Sequence, residues 1–161
     1  ALQMVAAVAA IGNDGVYRPP RIIKHQTDHH QLTISNIDAY RRRRVVSKQT
    51  ARAVQDAMES VVVEGTGRYA RVRGYRVGGK TGTAQKPLDN GLGYEEDAYI
   101  ASFVGLLPIQ QPRYAIIVVT NEPQTTIWGS TAAAPLFSKV ANRIIDFYDV
   151  EPDLRGGSER E

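Results

Sequence analysis

Residues 114–120, Tyr-Ala-Ile-Ile-Val-Val-Thr, are apolar without alternation. A strand with one wet face alternates; a strand that does not alternate has both faces covered. This run therefore predicts a strand in a sheet with helices against both sides. Residues 99–107 form a second β-rich run, and the short connection 108–113 suits an antiparallel neighbour. Residues 75–84 also read as extended, despite their glycines. The expected class is α/β of the α+β type, an antiparallel sheet flanked by helices, with three strands supplied here.

Three helices are expected around that sheet. Over residues 1–11, Leu2, Val5, Ala6, Ala9 and Ile11 recur at helical spacing, with Gly12 as a left-handed cap. Ser47 is a suitable N-cap for a second helix, in which Ala51, Val54, Met58, Val61 and Val62 make one apolar face. After Thr131 a last helix carries Phe137, Val140, Ile144 and Phe147 or Tyr148 on one stripe. Its Pro135 falls in the first turn, where a missing N–H does no damage. Residues 16–23 are extended but broken by Pro19-Pro20, which confines them to an edge or linking strand. Residues 24–44 read as a polar surface excursion and 87–97 as a polar loop. One domain unit is expected over 1–152, followed by a polar, disordered tail over 153–161. With no initiator Met and an opening inside a helical pattern, the chain is expected to be a piece of something longer.

Composition narrows the function. The chain is 42% hydrophobic, too apolar for a disordered chain. Its net charge of +3 makes no global basic field, so nucleic acid is not an expected partner. The absence of cysteine removes disulfides, thiolate catalysis and Cys-ligated zinc, and leaves the compartment open. The longest apolar stretch, residues 1–11, is far short of the ~20 residues of a membrane span.

Residues 74–84, Gly-Tyr-Arg-Val-Gly-Gly-Lys-Thr-Gly-Thr-Ala, satisfy two unrelated motifs. One is the phosphate-binding G-x-x-x-x-G-K-[ST], which needs a buried strand ending at Gly74 and a helix starting at Lys80. Residues 65–73 are too charged and Gly-interrupted for that strand, and Gly82, two threonines and Pro87 make a poor helix start. The other is the Lys80-Thr81-Gly82 of serine penicillin-recognising enzymes, which asks for a strand at a sheet edge. There an ammonium supplies fixed positive charge to an anionic substrate and can hold a neighbouring hydroxyl in a proton relay. A hydroxyl binds a carboxylate, and Gly82 lets ligand approach the backbone closely.

The tripeptide alone is weak, but its surroundings extend it. Gly65-Thr66-Gly67 and Gly74 through Lys86 resemble the corresponding stretch of class B penicillin-binding proteins, the peptidoglycan D,D-transpeptidases of bacterial division and elongation. Leu2 through Gly15 with Pro19-Pro20, Ala101 through Pro108 with Pro112-Arg113-Tyr114-Ala115, and Ala132-Ala133-Ala134-Pro135-Leu136-Phe137 resemble further segments of that family in the same order. The resemblance covers roughly residues 1–152.

The resemblance implies a penicillin-binding/β-lactamase-like domain of which only the C-terminal half is here. In the family the nucleophile belongs to an S-x-x-K motif and a second site to S-x-N. Ser35, Ser47, Ser60, Ser102, Ser130, Ser138 and Ser158 are followed neither by Lys at +3 nor by Asn at +2. The isolated chain is therefore expected to be inactive. In the whole enzyme the resemblance gives Lys80 a catalytic role beside the S-x-N serine. It gives Thr81, Gly82 and Thr83 substrate binding, and the Thr83 backbone N–H a place in the oxyanion hole. No metal or organic cofactor is implied. The implied partners are peptidoglycan stem peptides, β-lactam antibiotics, the N-terminal half of the same domain, a glycosyltransferase and division or elongation proteins. The implied location is the extracytoplasmic, periplasmic face of the bacterial membrane, with an anchor outside this chain. The rival reading is a non-catalytic penicillin-recognising sensor or division scaffold.

Other features have plainer readings. His25, His29 and His30 could suggest metal, but adjacent histidines diverge on a strand, and a solvated loop is expected. The run of arginines 41–44 lacks interleaved aromatics and reads as a solvated turn, with binding to an anionic envelope as the alternative. Glu95, Glu96 and Asp97 read as loop charge. Tyr94, Tyr99 and Trp128 could line a cleft or pack in the core.

Overall fold

The computed structural model describes residues 1–23, 25–27, 33–36 and 42–153, with side chains in 1–23 and 42–153. In chain order the elements are α1 (Leu2–Gly12), β1 (Val16–Tyr17), β2 (His25–Thr27), β3 (Thr33–Asn36), β4 (Arg43–Arg44) and α2 (Lys48–Val63). A 3₁₀ turn at Arg68–Ala70 follows, then β5 (Gly78–Pro87), β6 (Tyr94–Leu107), β7 (Tyr114–Asn121), α3 (Gly129–Ala132) and α4 (Ala134–Tyr148). The central sheet is antiparallel in the order β5-β6-β7, and β1 with β4 and β2 with β3 form separate two-stranded pairs.

The long apolar run does become a strand with α4 against one face and α1 against the other, but the cover is partial: none of its residues is fully buried and Val119 is 47% exposed. Alternate residues of β6 feed two cores. Phe103 and Leu107 join Val62, Val77, Phe137 and Ala141 on the α4 side, with Ile116 and Val118 of β7 packed against them. Leu106 joins Met58, Ile109, Val8, Ile11 and Ala115 on the side of α1 and α2. Phe103 and Phe137 meet edge-on with centroids 4.8 Å apart, and both are fully buried.

Several boundaries and faces differ from expectation. Ser47 does cap α2, accepting from Thr50 N at 3.0 Å. The inward face of α2, however, is Ala51, Gln55, Met58 and Val62, while Val54 is exposed. Gln55 is buried because its Nε2 donates to Ile11 O at 2.7 Å, tying α2 to the end of α1. Gly12 is not the left-handed residue after α1; Asp14 and Gly15 are, at φ 53° and 80°. Gly12 is needed for space, since a Cβ there would lie 2.9 Å from Leu106 Cδ2.

On α4 the buried stripe is Ala134, Phe137 and Ala141, and Val140 and Phe147 face outward. The sheet surface explains the choice: a Cβ on Gly105 would lie 2.9 Å from Phe137 Cζ, so α4 approaches the sheet through small residues. The expected loop over 87–97 is shorter, because β6 begins at Tyr94. Pro19-Pro20 follow β1, whose partner is Arg43–Arg44. His29, His30, Arg41 and the tail from 154 lie outside the described residues.

Candidate functional site

β5 runs along the edge of the central sheet among the described residues, paired to β6 from Gly78↔Leu106 to Pro87↔Tyr94. Two glycines set its position. A Cβ on Gly78 would lie 2.5 Å from Ile109 Cδ1 and 3.2 Å from Glu59 N of α2; one on Gly79 would lie 2.3 Å from Phe103 Cζ. Backbone replaces side chain at both positions, so α2 closes on one face and the aromatic core on the other. Strand alternation then puts Lys80 and Gly82 on the α2 face, and Thr81 and Thr83 on the α3/α4 face.

The entry to β5 is fastened separately. Arg76 makes a two-pronged ion pair with Glu59, Nε to Oε1 and Nη2 to Oε2, each at 2.5 Å. That hydrogen bond is the main reason the guanidinium is held above its ordinary pKa. Arg76 N donates to Asp153 Oδ1 at 2.8 Å, and the Tyr75 hydroxyl donates to Val150 O. Burial first, and then Asp153, Asp146 and Asp149, push the Tyr75 phenol up. The segment after α4 thus latches onto the residues leading into the strand.

Lys80 is exposed, and its Nζ donates to Thr81 O at 2.9 Å. Among the described residues no carboxylate pairs with it. Thr81 Oγ1 lies 3.0 Å from Thr66 Oγ1, on the turn after α2. Thr83 Oγ1 accepts from Gly129 N at 3.1 Å, which leaves its own proton free. A Cβ on Gly82 would meet Ser102 Oγ at 2.5 Å, so the space beside Gly82 is shared with that hydroxyl. Gly129 presses on the same strand pair: a Cβ there would lie 2.4 Å from Ser102 O and 2.5 Å from Gly82 O. One edge therefore presents an ammonium, two threonine hydroxyls, one engaged by the turn after α2 and the other by the first residue of α3, and strand backbone. Such an edge can bind an extended, carboxylate-bearing chain by strand addition and charge-assisted hydrogen bonds.

Thr66, Ser102 and Gly129 were not singled out by sequence as site residues. Their contacts join segments distant along the chain, and of these only Thr66, between two glycines in a stretch already set beside the strand, carried a readable signal. Trp128 is 60% exposed beside Gly129, and Tyr94 is 64% exposed, so neither is core. Tyr94 and Glu95 belong to β6, where Glu95 pairs with Lys86 at 3.3 Å. Arg43 and Arg44 are the exposed strand β4; Arg44 Nη1 donates to Asp14 O at 2.8 Å. The phosphate-loop reading fails on both counts: the residues before Gly74 form a 3₁₀ turn, and those from Gly78 onward are strand.

Known proteins resemble this chain in sequence and in fold. A family model described as penicillin binding protein transpeptidase domain matches residues 1–142. Stage V sporulation protein D of Bacillus subtilis is 40% identical over 153 residues, covering 94% of this chain and 23% of that protein. Peptidoglycan D,D-transpeptidase FtsI of Escherichia coli is 35% identical over 155 residues, covering 94% of this chain and 24% of that protein. Penicillin binding protein 3 from Mycobacterium tuberculosis, solved in complex with ampicillin, superposes with a TM-score of 0.84 at 34% identity, covering 97% of this chain and 36% of that one. The chain thus spans less than a quarter of each of those two curated relatives.

Proposed function

Since the chain belongs to the penicillin-binding protein transpeptidase family, we propose that it forms the substrate-binding C-terminal half of a serine D,D-transpeptidase. That enzyme cross-links peptidoglycan stem peptides and is acylated by β-lactams. The observation that carries this reading is the open edge of β5, where Lys80, Thr81, Gly82 and Thr83 stand in sequence with no opposing strand among the described residues.

In the whole enzyme a serine outside this chain attacks the carbonyl carbon of the penultimate D-Ala of a stem peptide and gives its proton to a neighbouring base. The peptide C–N bond breaks, terminal D-Ala leaves as the protonated amine, and an ester to serine remains. An amine of a second strand then attacks that ester, forms the cross-link and returns the proton to the serine. The residues here bind and orient. Thr81 and Thr83 donate to the terminal carboxylate. Lys80 adds positive potential and contacts the serine of the S-x-N motif. Gly82 lets the ligand lie close to the strand. The Thr83 N–H is an oxyanion donor, together with the nucleophile's own N–H. Its direction is supported by Lys80 Nζ, which reaches Thr81 O: residues two apart along a strand aim their backbone groups at the same edge.

The reading places the protein at the extracytoplasmic face of the bacterial membrane, anchored by a segment other than these residues. Its partners there are the other half of its domain, a glycosyltransferase and division or elongation proteins. Fluorescent penicillin should label the whole protein covalently and leave the isolated chain unlabelled. A stable adduct on any residue of 1–161 would overturn the assignment of the nucleophile to the other half. Thr83→Pro, which deletes the proposed oxyanion donor, should slow acylation by ~10²–10³-fold in a folded whole protein.

A further inference from the structure

We propose that Thr66 is a positioning residue for the carboxylate of the ligand, acting through Thr81. This rests on the reading of β5 as the substrate strand. The two hydroxyl oxygens lie 3.0 Å apart, and in isolation either can donate to the other. Each hydroxyl has one proton and two lone pairs. A carboxylate is an acceptor without a proton to give, so when it binds, the Thr81 proton must point at it. The Thr66 proton is then the one that fills the bond between the threonines. The result is a directed chain, Thr66 O–H to Thr81 Oγ1 and Thr81 O–H to carboxylate, in which each bond polarises the next.

The neighbouring hydroxyl shows the same arrangement with its direction already fixed. Gly129 N can donate and cannot accept, and it occupies a lone pair of Thr83 Oγ1. With the ligand bound, both threonines of β5 are thus fed by a donor from a neighbouring element, the turn after α2 for Thr81 and the first residue of α3 for Thr83, which leaves both protons for the ligand.

The turn that carries Thr66 is held tightly enough to do this. Gly65 N and Gly67 N both donate to Val61 O, at 3.1 and 2.9 Å, and Ala70 N donates to Gly67 O at 2.8 Å. A Cβ on Gly65 would lie 2.9 Å from Val61 O; one on Gly67 would lie 3.1 Å from that oxygen and 3.2 Å from Phe103 Cε2. The glycines on either side let the turn wedge between the end of α2 and the aromatic core. Thr66 remains exposed on that wedge, where its hydroxyl meets β5 and otherwise does no packing work.

The test uses the whole, nucleophile-bearing protein and one β-lactam in two forms, with a free carboxylate and as its methyl ester. Second-order acylation rates are measured for Thr66→Val, Thr66→Ser, Thr81→Val and the double valine variant, with thermal melting to confirm folding. For the free acid, Thr81→Val should lose about 10- to 150-fold, as for a hydrogen bond to a charged group, and Thr66→Val about 3- to 10-fold. Thr66→Ser should recover the parent rate within about 2-fold. Thr66→Val should add nothing in the Thr81→Val background and should lose less with the ester, whose carbonyl is an uncharged and weaker acceptor.

A parent rate for Thr66→Val beside a slowed Thr81→Val would overturn the role of Thr66 and leave the strand assignment standing. So would a Thr66→Val loss that persists undiminished in the Thr81→Val background or with the ester. A parent rate for Thr81→Val would overturn both.

Discussion

The two ends of β5 are held by different physics. At its start, Gly78 and Gly79 are buried backbone pressed between α2 and Phe103, with Phe137 behind. At its far end, 85–87, the strand is mostly exposed, its register against β6 shifts between Gln85 and Pro87, and Lys86 joins Glu122 at 2.6 Å and Glu95 at 3.3 Å. The site residues lie between them. Close packing has one solution and is costly to disturb, whereas exposed ion pairs are screened and replaceable. The position of Lys80 and Thr81 should therefore be inherited from the packed end, while the hairpin tip tolerates change.

The comparison breaks most visibly at the core. Phe137→Ala should destabilise the whole protein by ~3–5 kcal/mol, read by urea unfolding, because it empties a fully buried site against Phe103. A smaller loss there would mean that the start of β5 is not anchored by this cluster. Gly79→Ala forces a methyl onto Phe103 and should cost ~1–3 kcal/mol, with acylation slowed in the fraction that remains folded.

At the other end Lys86→Ala should leave the acylation rate at the parent value. Its effect should be confined to faster hydrogen exchange around 88–93, and a slowed rate would show that the tip does position the site. The pH dependence sharpens this. The hydrogen bond from Lys86 is the chief cause that holds the Glu122 carboxyl below its ordinary 4.5. A depressed carboxylate stabilises the fold above its unfolded pKa and loses that contribution as pH falls through the folded value. Acidification below about 4.5 should thus loosen the tip while the packed end keeps its protection, as hydrogen exchange by region would report.

Local and periodic signals were legible in the sequence. The unbroken run in β7 announced helices on both faces, Ser47 announced its helix, and Lys80-Thr81-Gly82 fell on a strand at the sheet edge among the described residues. What was hidden depends on contacts between distant segments. Gln55 looks like a surface residue until Ile11 O accepts its amide, and α4 has two apolar stripes of which the sheet accepts the one with alanines. Glu95 and Asp97 look like loop charge because nothing local reveals that the strand pair projects into solvent and that Lys86 waits opposite. Thr66 was seen as part of a motif, but its hydroxyl contact with Thr81 needed the fold.

The most direct test of β5 as the substrate strand is the second-order acylation rate of Lys80→Ala by a carboxylate-bearing β-lactam, with circular dichroism confirming that the whole protein is folded. Lys80 is exposed and packs against no core, so its removal should spare the fold and slow acylation by ~10²-fold or more. Acylation of folded Lys80→Ala at the parent rate would contradict the assignment.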